Sequence, residues 1–253
     1  GNTSTGIQTI TVLDEENPVI TTCAENKTQI ADINGESTVP DLTSEIIASD
    51  NCDSELTISQ SPTAGATIGI GITRVTITLE DDFGNTVTCE STVTVADENS
   101  PATTSCADDL TIAVNEDCEA VVPDLTGDVT ATDDGSIASI TQSPLAGTSV
   151  GLGVTPVIIT VTDDAGNSAT CSANITVIDN TDPVPEVLSL PDITAECEVT
   201  ELIAPTATDN CAGIITASSN TLLPINTQGT TVVTWTYDDG NGNIVTQNQN
   251  IVI

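Results

Sequence analysis

Short runs in which Val, Ile or Leu alternates with Thr or Ser recur along the chain, at 75–79, 91–95, 157–162, 174–178 and 232–237. A period of two places the aliphatic side chains on one face of a strand and the hydroxyls on the other. Gly, Pro, Asn and Asp separate the runs, as turns require. No segment has a helical periodicity long enough to predict a helix. The pattern predicts an all-β chain.

The pattern also repeats. A junction with Asp and Pro stands at Asp14–Pro18, Asp97–Pro101 and Asp179–Pro183. Val-Pro-Asp-Leu-Thr occupies 39–43 and 122–126, with Ala204-Pro205-Thr206 as a third version. An acidic loop follows at Asp50-Asn51-Cys52, Asp133-Asp134 and Asp209-Asn210-Cys211. Gln60–Gly65 returns as Gln142–Gly147, and hairpins close the repeats at 81–85, 163–167 and 238–243. About seven strands per repeat predict an immunoglobulin-like β-sandwich. The expected boundaries are 14–96, 97–178 and 179–253, in an extended tandem array. Residues 1–13 match 84–96 at one constant offset and read as the final strand of a preceding repeat. The window is expected to be cut from a longer array or to be one unit of a polymer.

Composition narrows the chemistry. Lys27 and Arg74 are the only basic residues against 38 acidic ones, a formal charge of −36. Nucleic-acid binding, which needs cations to displace counterions, is excluded. His is absent, so His-based catalysis and His-ligated metals are excluded too. No apolar run is long enough to span a membrane as a helix. Eight Cys without a C-x-x-C pair point to disulfides in an oxidising compartment rather than to zinc.

The order Asp-x-x-x-Pro, Cys, Val-Pro, Asp-Asn-Cys, Asp-Asp-x-Gly-Asn-x-x-x-Cys, Val-x-Val-x-Asp resembles the hyalin repeat family over almost the whole chain. The resemblance implies an immunoglobulin-like fold and an extracellular adhesive protein. With few basic residues and much Thr, it suggests a bacterial cell-surface adhesin or filament. The third repeat departs most, lacking the first and last Cys of the pattern.

Strand parity brings three acidic elements to one pole of each repeat: the incoming linker, the acidic loop and the closing hairpin. Three Ca²⁺ sites are therefore expected at the repeat junctions. The first would use Asp14, Glu15, Asp50, Asp81 and Asp82. The second would use Asp97, Glu98, Asp133, Asp134, Asp163 and Asp164, and the third Asp179, Asp182, Asp209, Asp238 and Asp239. The competing reading is that Asp, Asn and Gly simply make turns with solvated side chains.

The first and fourth Cys positions of the pattern lie near the same pole and vanish together in the third repeat. Cys23 is therefore expected to pair with Cys89, and Cys106 with Cys171, each bond worth roughly 4 kcal/mol in the chain-entropy model. A bond between the second and third positions within one repeat would span a strand of roughly 25 Å. Cys118 with Cys211, across a junction, fits better. Cys52 and Cys197 would then pair outside the window. The alternative is Cys197 with Cys211, leaving Cys52 and Cys118 free or paired together.

Trp235 and Tyr237 read as one core-facing and one exposed aromatic. Sequons at Asn2, Asn26 and Asn174 read as chance, and Gly69-Ile-Gly71 and Gly151-Leu-Gly153 as turns. The leading function is a structural repeat segment of an extracellular, Ca²⁺-stiffened adhesin or filament. Its partners would be neighbouring repeats of the same chain or identical subunits. The second reading is a module whose loops bind surface glycan or protein. An enzyme is set aside, because the paired Asp recur in every repeat without an aromatic cleft.

Overall fold

A computed structural model describes all residues 1–253, and it contains strands and two 3₁₀ turns but no α-helix. Two compact units divide the chain: 1–102 with 131–139 and 161–169, and 103–130 with 140–160 and 170–253.

In the first unit a four-stranded sheet has the order Lys27–Ile30, Thr86–Ala96, Gly71–Glu80, Thr57–Ser61. The first pair is parallel and the others are antiparallel. Val19–Thr22 pairs with Ile47–Ser49, and Glu36–Thr38 with Thr67–Gly69, to cover its inner face. The period-two reading is visible in Gly71–Glu80, where Val75, Ile77 and Leu79 are buried completely between partly exposed Thr76 and Thr78. Val93, Val95, Val39 and Leu42 complete this aliphatic core. Burying such a side chain contributes about 1.5–3 kcal/mol, so a core without aromatic rings still suffices for a module of this size.

Residues 1–13 form no strand in the structure, and Ile7, Ile10 and Val12 are exposed. The sheet they were expected to complete would belong to a preceding repeat.

The second unit carries the equivalent sheet in the order Leu110–Ala113, Ser168–Ile178, Gly153–Asp163, Ile137–Ser143, apart from the strand ends assigned to the first unit. Val157, Ile159, Ala173, Ile175 and Val177 are its buried positions. The same unit holds a three-stranded sheet of Ile193–Thr194, Ile244–Val252 and Thr230–Asp238, again with a parallel first pair. Val184–Pro185, Thr206–Asp209 and Gly213–Thr216 form its companion.

The repeated Val-Pro-Asp-Leu-Thr and Gln-Ser-Pro motifs belong to one device. Gln142 is buried; its Oε1 accepts from Leu125 N–H at 2.7 Å, and its Nε2 donates to the carbonyls of Pro123 (2.9 Å) and Pro144 (3.1 Å). Gln60 makes the same three bonds to Leu42, Pro40 and Pro62. One side chain thus satisfies backbone groups from two loops that no strand can reach.

The aromatic pair corrects the sequence reading. Trp235 and Tyr237 are both buried, because residues two apart in a strand share a face. Trp235 Nε1 donates to Gln249 Oε1 (3.0 Å), and the Tyr237 hydroxyl donates to Gln247 Oε1 (2.8 Å).

Candidate functional site: three acidic clusters

Each cluster is assembled from a linker, a loop and a hairpin. In the first, one carboxylate oxygen each from Asp14, Asp50 and Asp81 lies within 4.8 Å of the others. Asp81 closes the hairpin between the two long strands: its Oδ1 accepts from the N–H of Phe83 (2.9 Å) and Asn85 (2.8 Å), and its Oδ2 from Asn85 Nδ2 (2.7 Å). The same Nδ2 also donates to the Asp14 carbonyl (3.2 Å), tying the linker to the hairpin. Asp50 Oδ2 accepts from the N–H of Cys52 (2.8 Å) and Asp53 (3.2 Å), and Asp14 Oδ1 from Glu16 N–H (3.1 Å). The opposite oxygens, Asp14 Oδ2 and Asp50 Oδ1, are buried and have no hydrogen-bond partner.

The second cluster joins Asp97, Asp133 and Asp134. Asp133 Oδ2 accepts from Gly135 N–H (3.0 Å), and Asp134 Oδ2 from Asn99 Nδ2 (2.7 Å). Asn99 Nδ2 also donates to the Asp32 carbonyl (3.1 Å), in the turn between Lys27–Ile30 and Glu36–Thr38. Asp133 Oδ1 and Asp134 Oδ1 are the buried, partnerless atoms.

The third cluster joins Asp179, Asp209 and Asp239. Asp239 Oδ1 accepts from Asn241, Gly242 and Asn243 N–H (2.7, 3.0 and 3.0 Å), and Asn243 Nδ2 donates to Asp239 Oδ2 (2.6 Å) and to the Asp179 carbonyl (3.3 Å). Asp209 Oδ1 accepts from Cys211 and Ala212 N–H, both at 2.8 Å. Asp209 Oδ2 and Asn210 Oδ1 are left buried without a partner.

The division of labour is consistent. In the loop carboxylates one oxygen shapes the backbone and the other turns inward. Burial acts to raise the Asp81, Asp163 and Asp239 carboxyls, but donors from Asn85, Asn167 and Asn243 and from the turn amides outweigh it and hold all three below the usual range. Asp133 goes the other way: burial raises it against its Gly135 bond, and the charges of Asp97, Asp134 and Asp163 add to the rise.

Some expected ligands fall outside the clusters. Glu15, Asp82, Glu98, Asp164, Asp182 and Asp238 are exposed. A hairpin turns only one of two adjacent Asp inward: Asp82 follows that residue, and the Asp238 carboxylate instead accepts from Gly240 N–H (2.9 Å). Asp163 is buried and held by Asn167 as Asp81 is by Asn85, but in the second cluster Asp134 takes the third place. The structure adds the clamping Asn85, Asn167 and Asn243, whose signal is an Asn four residues after the inward Asp. Both basic side chains are engaged, Lys27 with Glu45 (2.7 Å) and Arg74 with Glu90 (2.5 Å).

Three disulfides flank the clusters. Cys23 joins Cys89, Cys106 joins Cys171, and Cys118 joins Cys211, with Cα separations of 6.2, 6.1 and 5.0 Å. Beside the last, Asn210 Nδ2 donates to the Asn115 carbonyl (3.0 Å). Cys52 and Cys197 are free and exposed. In residues 179–253 Gln247, four residues after Asn243 as Cys89 is after Asn85, stands in the cysteine's place and donates to the Val187 carbonyl (2.8 Å).

The HYR domain matches residues 13–95 and 96–177. Hyalin of the sea urchin Strongylocentrotus purpuratus is 32% identical over 96% of the chain, and hyalin of Lytechinus variegatus is 32% identical over 93%. The chain spans 21% and 46% of these two proteins. Both are sea urchin proteins and lend no support to the bacterial origin expected from composition. Among solved structures, mouse cadherin-23 EC22-24 is 15% identical with a TM-score of 0.41, covering 94% of this chain and 99% of that one. Sidekick-1 immunoglobulin domains 1-5 are 11% identical with a TM-score of 0.37, covering 93% and 58%.

Proposed function

The chain belongs to the HYR domain family, and from that premise we propose that it is a structural segment of an extracellular adhesive or filamentous protein whose repeat junctions are stiffened by Ca²⁺. On this reading residues 179–253 are a third, divergent repeat, and the segment's partners are neighbouring repeats. The disulfides favour an oxidising, extracellular setting. Every acidic cluster recurs at a junction, which suits a load-bearing role and not catalysis.

One observation carries the proposal: the first two clusters each contain two buried oxygens without a hydrogen-bond partner, and the third contains one, Asp209 Oδ2, with Asn210 Oδ1 on the next residue a second. Leaving such atoms unpaired costs free energy, and charged ones cost more. A hard, oxygen-seeking cation satisfies them and cancels the repulsion among the carboxylates. The donor set fits: carboxylates, an Asn amide oxygen and no His. Asp14, Asp50 and Asp81 would hold one ion; Asp97, Asp133 and Asp134 a second; Asp179, Asp209, Asp239 and Asn210 a third. Extracellular modules bind Ca²⁺ with Kd on the order of 10⁻⁴ to 10⁻³ M.

The test is thermal unfolding with millimolar Ca²⁺ against chelator, at constant ionic strength. The expected result is a rise in midpoint that Asp50→Asn and Asp133→Asn variants reduce. Equal midpoints with Ca²⁺ and with chelator would leave the clusters as solvated turns.

A further inference from the structure

Two loops meet wherever one repeat hands over to the next, and each exists in two versions. The departing turn is closed by the same bonds in the first two repeats: Asp32 N–H to Glu36 O (2.7 Å) and Gly35 N–H to Asp32 O (3.0 Å), and Asn115 N–H to Glu119 O (2.7 Å) and Cys118 N–H to Asn115 O (3.1 Å). Its fourth residue is left-handed in both, Gly35 at φ 73° and Cys118 at φ 59°. Gly35 and Cys118 therefore occupy one position. Cys118 is the only non-glycine residue of the chain at positive φ, a conformation that an L-residue adopts at some cost.

The receiving loop is the acidic one. Cys52, Gly135 and Cys211 each donate their N–H to the Asp two residues before, at 2.8, 3.0 and 2.8 Å. These three also share one position.

The two junctions inside the chain are matched. Cys118 meets Cys211 as a disulfide. Gly35 faces the 134–135 segment so closely that a Cβ on it would stand 2.7 Å from the Asp134 carbonyl oxygen. The same Cβ would stand 3.4 Å from Ile70 Cδ1, and one on Gly135 would stand 3.7 Å from that atom. Cys is thus opposed to Cys and Gly to Gly, and the glycine version leaves no room for a side chain. One receiving loop and one departing turn remain unmatched. The loop carries Cys52. The turn carries Cys197, between Ala195, whose N–H bonds Val252 O (3.0 Å), and Val199, which pairs with Ile225. The strand before this turn, Ile193–Thr194, runs parallel to Ile244–Val252 as Leu110–Ala113 before Cys118 runs parallel to Ser168–Ile178, so both cysteines follow the same strand.

We propose that Cys197 of one copy of this chain and Cys52 of a second copy form the disulfide that Cys118 and Cys211 form within it, giving a covalent head-to-tail junction. The leftover halves are complementary, and both thiols are exposed. The Cys52 loop already has the amide-to-Asp bonds that the Cys211 loop has in its bonded state. Oxidised glutathione is the oxidant. One S–S bond forms between the two Sγ atoms, the glutathione S–S bond breaks, and the two thiol hydrogens end on two reduced glutathione molecules.

The experiment oxidises the full chain with glutathione disulfide at about 0.15 M salt, where repulsion between the acidic copies is screened beyond ~8 Å. Products are read on non-reducing gels and by mass spectrometry of linked peptides. The expected result is a ladder of oligomers in which the 52–197 link predominates. Cys52→Ser and Cys197→Ser variants alone should stay monomeric, while their equimolar mixture should give a single heterodimer. Statistical mixing of 52–52, 52–197 and 197–197 links, a 52–197 link within one chain, or no link at all would overturn the proposal. None of these outcomes bears on Ca²⁺ binding, so the two ideas fail separately.

Discussion

Gln142 shows how much one side chain can hold in a domain with a thin core. Changing it to Ala leaves a buried N–H and two carbonyls unsatisfied, at an expected cost of about 1–3 kcal/mol for the donor alone. Urea unfolding should show the midpoint falling with the slope unchanged. Asp41 and Asp124 carry a different, pH-dependent effect. The hydroxyl and then the N–H of Thr43 and of Thr126 hold their carboxyls below the ordinary value of 3.8. A depressed folded-state pKa stabilises above the unfolded value, and the stabilisation is lost as pH falls through the folded one. The double variant Asp41→Asn, Asp124→Asn should therefore melt lower than the parent at neutral pH, and the gap should close as the pH drops below 3.8. Melting curves across an acid series check this.

At the scale of strands and loops, the alternation of Val and Thr made the sheets legible, and the repeated Asp motifs made the acidic poles legible. The finer selection was not. Adjacent Asp residues look alike in sequence, and only the closing bond from an Asn four residues on determines which one turns inward. The Trp235 and Tyr237 reading failed on strand parity. Gln247 was hidden because its role appears only once Val187 is placed beside it. It makes a direct prediction: reductant should destabilise the first two repeats, each losing up to roughly 4 kcal/mol of chain-entropy stabilisation. Residues 179–253, which have Gln247 in the cysteine's place and lose only the Cys118–Cys211 link, should keep the amide protection of their long strands in hydrogen exchange. Gln247→Ala should remove that protection without any reductant.

For the whole molecule, the charge of −36 makes salt a confounder, because any electrolyte relieves diffuse repulsion. Site binding is distinguished by stoichiometry and by steepness. Equilibrium dialysis should approach three Ca²⁺ per chain. Each site at a hundredfold excess over its Kd should contribute about 2.7 kcal/mol, whereas NaCl of equal ionic strength should raise the midpoint far less. If only the first two clusters fill, the third has kept the geometry and lost the affinity.

The Cys118–Cys211 bond also determines where tension travels. A pull on the two ends passes through the covalent link and skips the intervening stretch, whose sequence separation is 93; Cys23–Cys89 likewise skips one of 66. While both bonds are intact, those stretches cannot lengthen, whatever happens to their sheets. Cys106–Cys171 overlaps the longer stretch and would still hold part of it, so only cutting all three bonds releases slack of roughly 500 Å at 3.3–3.6 Å per residue. The redox state of three bonds thus decides whether an overloaded segment behaves as a short inextensible tether or pays out most of its length.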